Sequence, residues 1–112
     1  MNKIPVAYCT SIELRKYSVE GSCSSSAAGR RAFKRIHQAI GLGKGVKLSF
    51  EGVLVVTPTF LNEALGQLYG HFSEADVRRS LSIVNATQEQ LALLKRGVDN
   101  AKSYFASKKQ AS

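Results

Sequence analysis

The stretch VKLSFEGVLVVTPTFLNEALGQL, residues 46–68, decides how this chain is read. An apolar run ends at Phe50, breaks at Glu51-Gly52 and resumes through Val53 and Val56. Short runs rich in Val and Leu, bounded by a glycine turn, read as strands of a buried sheet. The second run stops at Thr57-Pro58-Thr59. Beyond it Phe60, Ala64, Leu65, Leu68 and Phe72 recur at helical spacing. Thr57 suits an N-cap, and Pro58 suits the first helical position, where a missing N–H costs nothing. Strand, turn, strand and capped helix in succession form the centre of a β/α repeat.

The flanks continue the pattern. Residues 3–19 read as extended, with Ile12 and Leu14 alternating with Ser11, Glu13 and Arg15. Pro5 suits an edge strand or a strand start. Two short strands or one bent strand fit equally well. GSCSSS, residues 21–26, reads as a polar loop that supplies helix N-caps. A helix then runs to about Ile40 on a stripe of Ala32, Phe33, Ile36 and Ile40, with Gly41 as its stop. The loop Gly41-Leu42-Gly43-Lys44-Gly45 is not a phosphate loop. Gly45 follows the lysine where Ser or Thr is required, Gln38 occupies the first glycine position, and the loop leads into a strand instead of a helix. Residues 80–84 read as another strand. Thr87-Gln88-Glu89-Gln90 has the form of a capping box. It opens a helix carrying Leu91, Leu94, Val98, Ala101 and Phe105. Residues 107–112 read as a frayed basic tail.

This order, β(β)αβαβα, predicts a small α/β fold: a mixed sheet of about four strands with three helices. The chain is long enough for one domain, residues 1–112, with its core between about 3 and 106. Helix N-termini gather at the carboxyl ends of parallel strands, where ligands and partners bind. Residues 24–26, 57–59 and 85–87 are expected along that edge.

Composition excludes several classes. Hydrophobic residues make up 44% and charged residues 21%, ordinary values for a globular protein. No apolar run approaches the roughly 20 residues of a membrane span, and the N-terminal residues lack a signal-peptide core. A cytoplasmic protein with Cys9 and Cys23 as free thiols is expected. His37 and His71 fall in different predicted helices, neither with a second ligand at i+3 or i+4, so no metal site and no cofactor are expected. There is no G-x-S-x-G and no evident carboxylate pair, so no enzyme is expected.

The net charge is +8 and the pI about 9.8. Arg30, Arg31, Lys34 and Arg35 fall within six positions, and Lys95, Arg96 and Lys102 follow near the C-terminus. A positive field favours polyanions or an acidic partner face. A charge run on a helix also serves simply as its solvated side. No zinc finger, aromatic RNP box or helix-turn-helix accompanies the charge. Tyr104 and Phe105, among lysines, offer rings to bases, although Phe105 belongs to the apolar stripe.

The central stretch resembles STAS domains, and in outline the anti-sigma-factor antagonists. Those carry a strand, an acidic-x-Ser-Gly-Val turn, a short apolar run, and Asp-Ser-Ser-Gly-Leu opening a helix. Glu51-Gly52-Val53 matches the turn, and Val55-Val56 the apolar pair. Thr57-Pro58-Thr59-Phe60-Leu61 stands at the helix opening. Phe60-Leu61-Asn62-Glu63-Ala64 with Gly66 is closer to the Ser-Phe-x-x-Glu-x-x-Gly pattern of the STAS-like branch. Ser49 stands where antagonists have an acidic strand residue, Thr57 replaces the aspartate, and Phe60 replaces the glycine. The specific part covers these two dozen residues, with a looser likeness from about Ser26 to about Ala106.

The resemblance implies a STAS-like fold and a non-enzymatic bacterial regulatory module that binds a signalling protein. It puts Thr59, with Thr57 beside it, at the regulatory phosphoserine position. The implied partner is a histidine-kinase-like ATPase able to act as a protein kinase. The implied partner-binding edge comprises Glu51, Thr57, Pro58, Thr59, Phe60, Asn62 and Glu63. The charge leaves open a basic nucleic-acid-associated accessory protein. Arg30, Arg31, Lys34, Arg35, Lys95, Arg96 and Lys102 would then hold the polyanion.

Overall fold

A computed structural model describes residues 8–111 of the chain, with side chains through Ser107. The strand expected at residues 3–7 and the edge role of Pro5 lie outside the described residues. Among the described residues two small parallel sheets form instead of one mixed sheet. Strands β1 (Cys9–Glu13), β3 (Gly45–Ser49) and β5 (Leu81–Val84) pair in the order β1-β3-β5, and β2 (Ser22–Cys23) pairs with β4 (Val55–Val56). Residues 9–23 and 45–56 each give one strand to both sheets, and β5 completes the first. A 3-10 helix, Leu14–Tyr17, separates β1 from β2, and a turn at residues 50–54 separates β3 from β4. Gly52 turns that corner with a φ of +82°, a conformation that suits glycine. Cys23, expected in a polar loop, is fully buried in β2 and donates its thiol to the Leu14 carbonyl at 3.4 Å. Burial pushes the Cys23 thiol pKa up, and Cys9 and Cys23 form no disulfide.

Among the described residues four α-helices accompany the strands: α1 (Ser26–Gly41), α2 (Pro58–Ala64), α3 (Glu74–Ser80) and α4 (Gln88–Ala111). Ser25 caps α1 through its side chain. Gly41 lies inside α1, and the left-handed residue after the helix is Gly43, with a φ of +81°. The spacing that predicts one helix from Phe60 to Phe72 is divided: α2 ends at Ala64 and a 3-10 helix, Gly66–Gly70, follows. The additional helix, α3, buries only Val77 and Ser80, so it has no apolar stripe. Its signals are polar: Ser73 caps Asp76, Glu74 and Asp76 occupy the first turn, and Arg78 and Arg79 the last.

The capping box of α4 forms in both directions. Gln90 N–H donates to Thr87 Oγ1 at 3.0 Å, and Thr87 N–H donates to Gln90 Oε1 at 2.9 Å. The Gln90 amide also donates to the Val53 carbonyl at 3.0 Å, which ties α4 to the turn before β4. Along α4, Leu94 and Ala101 are buried, Val98 and Phe105 half-buried and Leu91 exposed. The helix continues to Ala111, beyond Ala106, where fraying is expected.

The register explains where the core sits. Thr10, Val46 and Leu81 align across the three strands, as do Ile12, Leu48 and Ile83. They share one face of the pleat. The alternate row, Ser11, Lys47 and Ser82, faces away and is polar. The apolar face joins Ile36, Phe60, Leu65, Leu68 and Val77 in a single core. Helix α2 packs against both α1 and α4.

Candidate functional site

The Thr57-Pro58-Thr59 junction lies at the carboxyl end of β4. Thr57 N–H donates to the Cys23 carbonyl at 3.1 Å. Its hydroxyl donates to the Ser24 carbonyl at 3.1 Å and accepts from Phe60 N–H at 3.2 Å. The Thr57 side chain therefore caps α2 and fastens it to the end of β2. Thr59, the second helical residue, is exposed, and its hydroxyl makes no hydrogen bond among the described residues. The two threonines differ in role although the sequence presents them alike. Thr57→Val should lower stability by about 1–2 kcal/mol, since it uncaps α2. Thr59→Val should stay within about 0.5 kcal/mol of wild type. Urea denaturation of both variants checks the pair.

Next to this junction the surface is apolar. Leu54 is 79% exposed and Val55 53%, and Val19 nearby is 76% exposed. Leu54 reaches back over Gly21, where a Cβ would lie 3.0 Å from its Cδ1. A groove of about 370 Å³ runs between residues 53–56 and the start of α4, where Glu89, Gln90 and Leu93 line it. Glu20, Glu51 and Glu89 are exposed and make no ion pair among the described residues. Ser49 accepts from Glu51 N–H at 3.2 Å and from the Asn85 amide at 3.1 Å. It therefore braces the turn and the loop after β5, where Asn85 takes a left-handed φ of 59°.

The expected partner edge is divided by the packing. Glu51, Pro58, Thr59 and Asn62 are exposed, and Thr57 is half-buried. Phe60 is 0% exposed and belongs to the core. Glu63 is half-buried against α1, 3.9 Å from Arg30, with its Cβ beneath Gly29. Phe60 and Glu63 thus serve the α1–α2 contact: three positions apart, they share one face of the helix, and the successive residues 57–63 cannot all face outward.

The basic residues form two groups. Arg30, Arg31, Lys34 and Arg35 make one exposed ridge on α1, with Arg35 also donating to Thr10 Oγ1 at 3.4 Å. On α4, Lys95 pairs with Asp99 at 3.2 Å and Lys102 with Glu74 at 2.9 Å. The Lys102 hydrogen bond holds the Glu74 carboxyl below the usual carboxylate range, and Glu74 in turn raises the Lys102 ammonium pKa. Lys102 also lies 5.9 Å from the ring centre of Tyr69, whose phenol burial pushes up. Arg96 is exposed and makes no ion pair among the described residues.

The histidines, far apart in sequence, come together. Their ring centres are 5.0 Å apart, and Phe33 and Phe72 pack against the pair. Among the described residues no three His, Cys, Asp or Glu side chains converge to hold a metal. Among the same residues, no helix is long and apolar enough to cross a membrane.

Alternating strands and helices, parallel pairing and a capped helix at the carboxyl edge define a small α/β domain. Residues 28–91, more than half of the chain, match the family described as "STAS-like domain of unknown function (DUF4325)". The chain belongs to that family. No curated protein and no solved structure matches it. Sequence reasoning missed the exposure of Leu54 and Val55. The glycine turn just before them was the available signal, since a two-residue strand beside a turn has little to cover it.

Proposed function

We propose that this STAS-like domain is a regulatory module without catalysis of its own, which binds a signalling protein through residues 54–59. Phosphorylation of Thr59 by a histidine-kinase-like ATPase switches that contact. The observation that carries the reading is the exposure of two aliphatic side chains, Leu54 and Val55, four to five positions before the exposed Thr59. Aliphatic groups of this kind supply the apolar centre of an interface. A phosphate on Thr59 adds about −1.5 to −2 charges at neutral pH. That added charge, on a helix start that directly follows the exposed strand, repels an acidic partner surface. Thr57 is the poorer acceptor, because its hydroxyl already holds two hydrogen bonds.

The test is affinity capture from the host lysate after nuclease treatment, read by mass spectrometry with phosphosite mapping. The baits are wild type, Thr59→Asp, Leu54→Asp and Lys95→Ala. An ATPase partner should be held by wild type and Lys95→Ala. Its yield should fall at least tenfold with each of the other two, and phosphate should map to Thr59. The same proteins at equal yield on all four baits would remove the reading.

A further inference from the structure

A groove of about 480 Å³ lies away from the Leu54–Val55 surface, between α2 with its 3-10 extension and α4. Its size falls within the roughly 300–1,000 Å³ of small-ligand pockets. The lining is neutral: the carboxamides of Asn62, Gln67 and Asn100, the rings of Tyr104 and Phe105, and Ala101. None of the three carboxamides makes a side-chain hydrogen bond among the described residues. No carboxylate lines the groove. Tyr104 is 56% exposed and meets Phe105 edge-on, with ring centres 5.0 Å apart. Phe105 is anchored over Gly70, where a Cβ would fall 2.6 Å from its ring, so it steadies the exposed ring beside it. Four residues before Asn100 and eight before Tyr104, on the same stripe of α4, stands the unpaired guanidinium of Arg96.

From this arrangement we infer that the groove binds an unpaired adenine base carrying phosphate. A carboxamide presents a donor and an acceptor side by side, which matches the N6 donor and N7 acceptor of adenine. An exposed aromatic ring stacks on the face of an unpaired base. Arg96, one turn before Asn100 on α4 and outside the groove lining, offers a cation to a phosphate that leaves the groove toward it, and a net charge of +8 favours such an anion. The chemistry is shared by a free adenine nucleotide and by single-stranded nucleic acid, and it does not depend on the Thr59 surface.

The experiment uses the full chain with two probes at 50 mM salt: AMP, followed by amide chemical shifts, and fluorescein-labelled oligo(A) of twelve nucleotides, followed by anisotropy. Shifts of the Asn62, Gln67 and Asn100 side-chain amides with AMP identify a nucleotide site. Binding of the oligomer alone identifies a single-strand site. Either result supports the inference if Tyr104→Ala weakens it tenfold or more while Tyr104→Phe keeps it within threefold. Arg96→Ala should weaken oligomer binding and lower the slope of log K against log salt by about one unit. Absence of binding by both probes overturns the inference. So does oligomer binding that Tyr104→Ala leaves unchanged and Arg31→Ala with Lys34→Ala abolishes, since the polyanion would then lie on α1. Unchanged thermal melting of Tyr104→Ala separates loss of binding from loss of fold.

Discussion

Replacing Phe60 with alanine should cost about 3–5 kcal/mol of folding stability, the largest loss expected from any single truncation in the α1–α2 contact. Phe60 is fully buried, in a core shared with Ile36, Leu65 and Leu68. Truncation removes a whole ring from that core and leaves a cavity that short, capped α2 cannot close without leaving Thr57. Domains of this size are stable by only about 5–15 kcal/mol, so the variant should melt about 15 °C or more below wild type. Calorimetry or urea denaturation reads the effect. The result also separates two roles for the residue after Thr59. A side chain that only touched a partner would change stability by about 0.5 kcal/mol or less, so a small effect here would return Phe60 to the partner edge.

Gly29→Val is expected to cost about 3 kcal/mol, for the opposite reason. Helix α1 crosses α2 at this glycine, which is buried. Even a Cβ at Gly29 would lie 2.8 Å from the Phe60 carbonyl oxygen and 2.8 Å from Glu63 Cβ. Neither neighbour is the free end of a flexible side chain, so the helices must part. Parting them unseats Phe60 and lengthens the 3.9 Å approach of Arg30 to Glu63. Gly97→Ala, inside α4 with nothing within 4 Å of the added Cβ, is the control. It should hold stability or raise it by about 0.5–1 kcal/mol, through helix propensity alone. Equal effects at the two glycines, measured by denaturation midpoints, would show that the close crossing does not limit the fold.

Several elements were legible because their signals are local. The Thr57 cap with Pro58 behind it, the capping box at Thr87 and Gln90, and the stripe of Ala32, Ile36 and Ile40 all depend on residues within one or two helical turns. Helix α3 has an equally local polar signature at Ser73, Glu74, Asp76, Arg78 and Arg79. It was not legible as a helix because only Val77 and Ser80 are buried, and two positions make no periodicity. The second sheet escaped for a related reason. Two-residue strands such as Ser22–Cys23 and Val55–Val56 carry too few side chains to show alternation.

The candidate sites divide along the same line. Thr57 and Thr59 look interchangeable in sequence, since both stand at a helix start. Only the approach of the Ser24 carbonyl, 33 positions away, commits Thr57 to structure and leaves Thr59 open. Lys102 reads as part of a basic run, yet Glu74, 28 positions earlier, pairs with it. The convergence of Asn62 and Gln67 with Asn100 and Tyr104 has no sequence signature at all, because α2 and α4 meet only through the fold.

By itself, then, the sequence determined the α/β alternation, the caps, the positive charge and the STAS-like family, for these rest on neighbours along the chain or on composition. The tertiary structure alone decided which hydroxyls are free, which cations are paired, and which apolar residues stay at the surface. Those properties belong to contacts between residues tens of positions apart. Such contacts depend on how the helices cross at Gly29 and Phe60, a geometry set by close packing and not by any local pattern.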